Sequence, residues 1–335
     1  MPTVKLVKEF VPHRLLRNRH LMTMVPALLR RRFPRLPPAE PRLFDVEPGT
    51  QLSGQCHWHA QLRKHPTLLL VHGLEGSSDS AYILGCAEKG WTAGFNVVRL
   101  NQRNCGGTER LGSTLYHSGR SDDFRAVVME LIERDELPEI FAAGFSMGGN
   151  LVLKMAGDFG DSAPRQLRGI VAINPSLDLA SCANALGAPR NFIYNRHFVR
   201  RLKRSMRYKA ALFPEIYLTD GTAKSLRRVR SVREFDEKIT APFCGFAGAD
   251  DYYARSSAMR VIAAIRKPTL ILTAQDDPFA PFSSFGIAAI RENPNVRLVA
   301  PRHGGHCAFI SQEGGPERFW AEARLVEFCK ENSTL

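Results

Sequence analysis

The sequence predicts an α/β protein with a doubly wound, mostly parallel β-sheet and a helical lid inserted late in the chain. Two observations predict this class. Short apolar runs alternate with helical patterns along most of the chain, and the alternation stops between Pro175 and Lys267 before it resumes. Strands that alternate with helices form parallel sheets covered by helices on both faces. With 335 residues, of which 44% are hydrophobic, the chain can bury the core of one large domain of this kind.

The N-terminal segment is basic and contains several prolines. Arginines cluster within 14–19 and within 30–35, and Pro26 is expected to interrupt the amphipathic pattern between the two clusters. The segment ends in PRLPPAEP, which must be extended or turned because proline fixes φ and lacks an amide hydrogen. We therefore expect a basic arm packed on the core. The predicted boundaries are 1–42 for the arm, 43–176 with 264–335 for the core, and 177–263 for the lid.

The strands are predicted in two groups. Alternating polar and apolar residues in LFDVEPG and LSGQCHWHA predict two strands joined by a Pro-Gly turn. Continuous apolar runs predict buried parallel strands in TLLLV, FNVVRLN, EIFAAGF, LRGIVAINP, PTLILTA and NVRLVAP. Apolar spacing of three and four predicts helices over 79–92, over SDDFRAVVMELIERDE with Ser121 as its N-cap, directly after Ser146, and at the end of the chain near Cys329.

The run GFSMG, residues 144–148, matches the pattern G-x-S-x-G between a predicted strand and a predicted helix. A nucleophile elbow occupies that place in a sheet, because the sharp turn exposes a serine in a strained conformation. Gly144 and Gly148 are expected there since side chains would collide across the bend. Amides at the helix N-terminus behind Ser146 can stabilise a developing oxyanion.

A serine hydroxyl needs a base, and the base needs an orienting acid. In this architecture both follow later strands, with the acid first. TLILTAQDDPFAP supplies acids, and we favour Asp277 over Asp276 because Asp277 lies further out in the turn. Asp178, after the preceding strand, is a third candidate. VRLVAPRHGGHCAF supplies histidines, and we favour His306 over His303 because the two glycines before His306 let the loop reach the serine.

The loop HGLEG, residues 72–76, follows the first buried parallel strand and predicts the second half of an oxyanion hole. We expect the Leu74 amide to act as a donor beside the Met147 amide, with Gly73 allowing the close approach of the two segments. His72 is expected to shape the loop and not to act as a base.

Composition excludes several other classes. Seven cysteines without a C-x-x-C pair predict reduced thiols, and strand alternation explains the neighbours Cys56, His57 and His59, so we expect neither a metal nor a cofactor. The net charge of +13 suggests peripheral contact with an anionic membrane surface, whereas the absence of a nucleic-acid-binding motif argues against nucleic acid as a partner. Without a signal-peptide core or a long apolar run, we expect a cytoplasmic protein or one peripheral to the inner face of the membrane.

Several longer motifs resemble the YheT-like branch of the α/β-hydrolases: VHGLEGSSDSAY, LNQRNCGG, LYHSGRSDD, GFSMGGN, REFDEKITAPFCGFAGADDYY and HGGHCAF. The resemblance extends from about Phe10 to Phe309 and includes the lid. It implies the α/β-hydrolase fold and a carboxylesterase with Ser146, Asp277 and His306 as nucleophile, acid and base. Its eukaryotic relatives act on esters and phospholipids at membranes. One departure is the cysteine of HGGHCAF, where a larger apolar residue is usual.

The expected function is therefore hydrolysis of carboxylic esters through an acyl-enzyme on Ser146, with a small-molecule ester or a lipid as substrate. Three alternatives remain open. The chain could act as a phospholipase or lysophospholipase at an anionic membrane surface, as an acyltransferase that passes the same acyl group to an alcohol, or as a binding module without catalysis.

Overall fold

The computed structural model describes residues 8–218 and 220–335, so residues 1–7 of the expected arm lie outside the described part. Eight strands in these residues form one sheet in the order β1-β2-β4-β3-β5-β6-β7-β8. Each strand coincides with an expected one. Their bounds are β1 (Glu40–Glu47), β2 (Thr50–His57), β3 (Thr67–Val71), β4 (Asn96–Leu100), β5 (Ile140–Phe145), β6 (Leu167–Ile173), β7 (Thr269–Leu272) and β8 (Val296–Val299).

The sheet is parallel from β4 to β8, and β2 joins it antiparallel to both β1 and β4. Its central strands are buried on both faces, which explains why they are apolar throughout. Leu68 and Leu70 pack against the helices of one face, and Leu69 and Val71 pack against those of the other. The expected α/β class is thus confirmed.

Thirteen α-helices lie in the described residues, and none of them is both long and apolar enough to cross a bilayer. Helices α2 and α13 cover one face of the sheet, while α3 and α4 cover the other. The bounds are α1 (Arg19–Leu28), α2 (Ala81–Thr92), α3 (Ser121–Glu133), α4 (Met147–Phe159), α5 (Leu179–Gly187), α6 (Phe192–Leu212), α7 (Pro214–Tyr217), α8 (Asp220–Arg228), α9 (Val232–Phe235), α10 (Ala241–Phe243), α11 (Ala249–Ser256), α12 (Ala288–Glu292) and α13 (Trp320–Asn332).

Two local expectations were wrong. Ser121 is the first residue of α3 and not its cap: Arg120 occupies the cap position without a side-chain hydrogen bond, and the Ser121 hydroxyl donates to Asp158 of α4 at 2.6 Å. Pro26 lies inside α1 and does not interrupt it. The missing amide removes one hydrogen bond close to the C-terminal end, and the helix continues to Leu28.

The described part of the N-terminal segment packs on the core. The ring of Phe10 contacts the rings of Phe309 and Trp320, with centroid separations of 5.6 and 5.3 Å. Further along, the Arg31 guanidinium donates to both carboxylate oxygens of Glu322 on α13, at 2.5 and 2.8 Å. Such a bidentate pair fixes both position and orientation. The segment is therefore attached at two separate points.

Helices α5 to α11 belong to the inserted segment, and buried hydrogen bonds hold it to the core. The Tyr252 hydroxyl on α11 accepts from the Ser118 amide and donates to the Ser118 hydroxyl, both at 2.9 Å. The Asn150 side-chain amide on α4 donates to the carbonyls of Ser118 and Ser256, both at 2.9 Å. The LYHSG and DDYY motifs are thus two halves of one contact between the core and the inserted segment.

We predict that Tyr252→Phe lowers the free energy of unfolding by about 1–3 kcal/mol, because the buried Ser118 amide loses its acceptor. Urea denaturation followed by circular dichroism measures this difference. Tyr208→Phe is the matched control, since the Tyr208 side chain is 47% exposed. An unchanged midpoint for Tyr252→Phe would contradict the assigned role of this contact.

Candidate active site

Ser146 occupies the sharp turn between β5 and α4. Its φ of 54° and ψ of −119° place it in a strained conformation, and its amide donates to the Ile173 carbonyl of β6 at 2.9 Å. A Cβ at Gly144 would overlap the carbonyl of Gly148, and a Cβ at Gly148 would overlap the carbonyl of His72. Both glycines are therefore required by the close packing of the elbow, in agreement with the expectation from sequence.

Asp277 and His306 come together at the C-terminal ends of β7 and β8. The His306 Nδ1–H donates to Asp277 Oδ2 at 2.7 Å, since the carboxylate can only accept. The other oxygen, Oδ1, accepts from the amides of Phe279 and Ala280, both at 2.9 Å. The Asp277 carboxylate is fully buried and the His306 side chain is 11% exposed. The carboxylate is thus held in one orientation towards the imidazole.

Asn174 belongs to this site, although no sequence motif pointed to it. It follows β6 with a φ of 43°, and its side-chain amide donates to Asp277 Oδ2 and, at 3.1 Å, to the Gly305 carbonyl. Asn174 therefore ties the loop of the acid to the loop of the histidine. The available signal was its position: a polar residue directly after a buried strand, at the sheet edge where Asp277 also lies.

The three alternative residues have other partners. The His303 Nδ1 lies 3.4 Å from Asp276 Oδ2, and the His303 side chain is 45% exposed. Asp276 also accepts from the Gly305 amide at 3.0 Å, so it stabilises the same loop from outside. Asp178 is the N-cap of α5 and accepts from the Ser181 amide at 3.3 Å. These contacts give each residue a structural role.

Two opposing effects act on the pKa of His306. Burial alone would lower this pKa, but the negative charge of Asp277 and the neighbouring Cys307 sulfur raise it above its ordinary value of 6.5. The imidazole therefore holds a proton more tightly than a free histidine does. Such a group accepts a proton from a nucleophile more readily once it is neutral.

The loop after β3 lies against the elbow. A Cβ at Gly73 would lie 3.1 Å from the Ser146 Cβ, so only glycine fits without a shift. His72 is buried, and its Nε2 accepts from the Gln102 amide at 3.1 Å while its Nδ1–H donates to the Gly73 carbonyl at 2.8 Å. Burial lowers the pKa of His72 to about 4, which keeps the ring neutral. His72 shapes the loop, as its sequence context indicated.

Leu74 lies in the loop after β3 and Met147 directly follows Ser146, and both line the same cavity as Ser146. Among the described residues, no protein group accepts a hydrogen bond from either amide. Met147 is the first residue of α4, where the helix offers no acceptor for its amide and the helix dipole favours negative charge. Both amides thus lack a protein acceptor in this part of the chain, and their role as oxyanion donors stays a prediction.

Ser146 lies on the wall of a cavity of about 120 Å³ between the core and the inserted segment. Two buried carboxylates in the wall are fully paired. Glu75 accepts from the Tyr116 and Ser205 hydroxyls at 2.6 and 2.7 Å, and Asp236 accepts from the Tyr253 hydroxyl at 2.7 Å. The remaining wall is largely apolar and includes Leu74, Leu179, Leu186, Phe198, Leu202 and Phe279.

The described residues contain no group of three or more His, Cys, Asp or Glu side chains that could hold a metal ion. The neighbours Cys56, His57 and His59 have separate roles. His57 accepts from the Arg99 Nε at 3.1 Å, and the His59 ring stacks on Trp91 with 3.8 Å between centroids. Cys56 is buried in the core.

The sheet order, the elbow and the late acid and histidine loops define the α/β-hydrolase class. The chain belongs to the α/β-hydrolase fold family, whose sequence profile matches residues 66–313, and it is a hydrolase. YheT of Escherichia coli (strain K12) is 32% identical over 325 residues, which cover 96% of this chain and 92% of that protein. The resemblance to the YheT-like branch is thereby confirmed.

Two further comparisons extend this picture. Phospholipase ABHD3 of Mus musculus is 30% identical over 283 residues, which cover 82% of this chain and 67% of that protein. Among solved structures, the esterase Pf2001 of Pyrococcus furiosus superposes with a TM-score of 0.59 at 17% identity, covering 98% of this chain and 99% of that one. The latter likeness concerns the fold alone.

We predict that ester hydrolysis has an acid limb above pH 6.5, because the reaction needs neutral His306 and the pKa of that group is raised. As the pH falls through this pKa, His306 becomes protonated and kcat/KM declines. Asp277→Asn should lower kcat roughly a thousandfold or more and move the limb to lower pH, since the charge that raises the pKa is gone.

Asp276→Asn is the matched control for Asp277→Asn, as it removes the neighbouring charge but leaves the hydrogen bond to His306. The pH at which kcat/KM declines should be the same in Asp276→Asn as in the wild type. A limb that moves with Asp276→Asn and not with Asp277→Asn would reverse the assignment of the two carboxylates.

Proposed function

We propose that the chain is a serine carboxylesterase that forms an acyl-enzyme on Ser146. The observation that carries the proposal is the strained Ser146 at the same sheet edge as the buried Asp277–His306 pair. A strained serine on the wall of a cavity has no packing role that would explain its conformation. The Asp277 carboxylate fixes the imidazole tautomer in which Nε2 is free to accept a proton.

The chemistry follows from these groups. His306 Nε2 takes the hydroxyl proton as Ser146 Oγ attacks the ester carbonyl, and the amides of Leu74 and Met147 stabilise the negative oxygen that forms. His306 then gives the proton to the leaving alcohol, and the acyl group remains on Ser146. Water attacks the acyl-enzyme with the same base, which releases the acid and restores the serine. If an alcohol replaces the water, the same intermediate gives acyl transfer.

The largely apolar wall of the cavity favours an ester with an apolar acyl or alcohol part. Glu75 and Asp236 are already paired with hydroxyl groups of the protein, so neither calls for a cationic substrate. The relative ABHD3, which is named as a phospholipase, supports the same substrate class. Serine at the elbow argues against dehalogenase or epoxide hydrolase chemistry, which uses an aspartate there.

We predict that a fluorophosphonate adds once to the wild-type protein and not at all to Ser146→Ala. Reaction with a fluorophosphonate requires an activated serine hydroxyl. The added mass should therefore map to the peptide that contains Ser146. Intact mass and peptide mapping measure both points. An acyl-chain series of nitrophenyl esters then defines the preferred length.

Ser162→Ala is the matched control, because Ser162 is exposed and its hydroxyl donates to the Phe159 carbonyl at the end of α4. This variant should be labelled like the wild type. Failure to label the wild type would favour the alternative of a binding module without catalysis.

A second candidate is hydrolysis of lipid esters at an anionic bilayer. The segment around α1 and the start of α6 lie side by side, because His20 Nδ1 is 3.2 Å from the Tyr194 hydroxyl. Both segments carry exposed apolar side chains. These are Leu15, Leu28, Phe192 and Ile193, which are 78, 81, 57 and 66% exposed. Exposed arginines accompany them at positions 14, 17, 30, 32, 190 and 196. Each arginine near an anionic surface contributes about 1 kcal/mol to binding.

We predict that the protein co-sediments with vesicles of phosphatidylglycerol and phosphatidylcholine, and that added salt weakens this binding because the arginines act through charge. Leu15→Asp combined with Leu28→Asp should abolish co-sedimentation. Leu335→Asp is the control, since Leu335 is 58% exposed at the other end of the chain. Equal binding to neutral vesicles would argue against this second candidate.

A further inference from the structure

The loop that carries His306 turns sharply and contacts several distant segments of the chain. Gly304, Gly305 and Cys307 all have positive φ values, of 158°, 57° and 64°. Groups of other segments hold this loop: Asn174 and Asp276 bond to Gly305, and a further segment packs against it. The packing partner is α1, the helix of the N-terminal arm: a Cβ at Gly305 would lie 2.8 Å from the Thr23 hydroxyl oxygen and 3.0 Å from the Arg19 carbonyl.

Thr23 makes the direct connection between α1 and the histidine. Its hydroxyl accepts from the His306 backbone amide at 2.9 Å and donates to the Arg19 carbonyl one turn earlier at 2.7 Å. The hydroxyl proton is thereby committed to the helix, which leaves a lone pair aimed at the amide. The two residues are 283 positions apart, so this bond fixes the loop relative to a distant segment.

The imidazole ring is connected to α1 along a second route. His20 Nδ1 lies 3.2 Å from the hydroxyl of Tyr194 on α6. The Tyr194 and Phe279 rings form a T-shaped contact with 5.0 Å between their centroids. The centroids of the Phe279 and His306 rings are 4.1 Å apart. The backbone amide of His306 therefore bonds to α1 directly, and its ring is connected to α1 through Phe279 and Tyr194.

We propose that Thr23 is a positioning residue for the reaction, which acts by holding His306 at the distance from which it can take the Ser146 proton. This inference rests on the proposed function. Removal of the acceptor leaves the His306 amide without a partner and lets the loop move. Because proton transfer needs close alignment, a displacement of this kind lowers kcat, while the substrate cavity and KM stay unchanged.

The experiment compares Thr23→Val with Thr23→Ser in the full-length protein, using a nitrophenyl ester. Valine has the shape of threonine but no acceptor, and we expect it to lower kcat by about 10-fold to 100-fold with little change in KM. Serine keeps the acceptor and should restore most of kcat. Thr92→Val is the matched control, because Thr92 is exposed on α2 and donates to the Glu88 carbonyl in the same geometry, at 2.7 Å.

Thermal unfolding separates positioning from folding. If Thr23→Val unfolds, Thr23→Ala takes its place, since alanine favours the helix. A kcat equal to the wild type in a folded variant overturns the proposal, and so does an equal loss in Thr23→Ser. Fluorophosphonate labelling of the wild type tests the proposed function separately. If that function is wrong, Ser146 carries no label in the wild type or in any variant.

Discussion

The buried carboxylate of Asp277 is the group on which the site depends. Each of its two oxygens accepts two hydrogen bonds, from Asn174 and His306 on one side and from the amides of Phe279 and Ala280 on the other. A carboxylate without such partners would cost several kcal/mol to bury. Its partners come from the loops after β6, β7 and β8, so one charge aligns three segments of the chain.

Much of this arrangement could be predicted from the sequence. Continuous apolar runs located the six parallel strands and alternation located β1 and β2, and the elbow was recognisable because Gly144 and Gly148 have no substitute. Asp277 and His306 were expected in the loops after β7 and β8, and the structure joins their side chains by a hydrogen bond, while their catalytic roles stay a prediction. The cap assigned to Ser121 was wrong, because α3 begins at Ser121 itself, whose hydroxyl donates to Asp158 of another helix.

The remaining features depend on contacts that no local pattern encodes. Asn174 donates a hydrogen bond to Asp277, which is 103 positions away in the sequence, and Thr23 accepts one from His306, which is 283 positions away. Neither residue has a periodic neighbour or a spacing rule that marks it. The LYHSG motif was recognisable as a family marker, yet its purpose became clear only when Ser118 lay against Tyr252. Pairing of distant segments is what three-dimensional structure adds to the sequence.

The N-terminal arm and the inserted segment both contact the surroundings of His306. The arm reaches the histidine loop through Thr23, and the inserted segment closes the cavity over Ser146 and contributes Tyr194 between His20 and Phe279. The segment around α1 and the start of α6 also carry the exposed apolar side chains and arginines described above. An interaction of this surface with a lipid bilayer would therefore occur close to the groups that hold His306.

A crystal structure of the protein after reaction with a fluorophosphonate tests the account most directly. The proposed mechanism predicts phosphorus bonded to Ser146 Oγ, one phosphonyl oxygen at about 3 Å from both the Leu74 and Met147 amides, and His306 Nε2 within hydrogen-bond reach of Ser146 Oγ. Phosphorus on another residue, or a phosphonyl oxygen directed away from both amides, would contradict it.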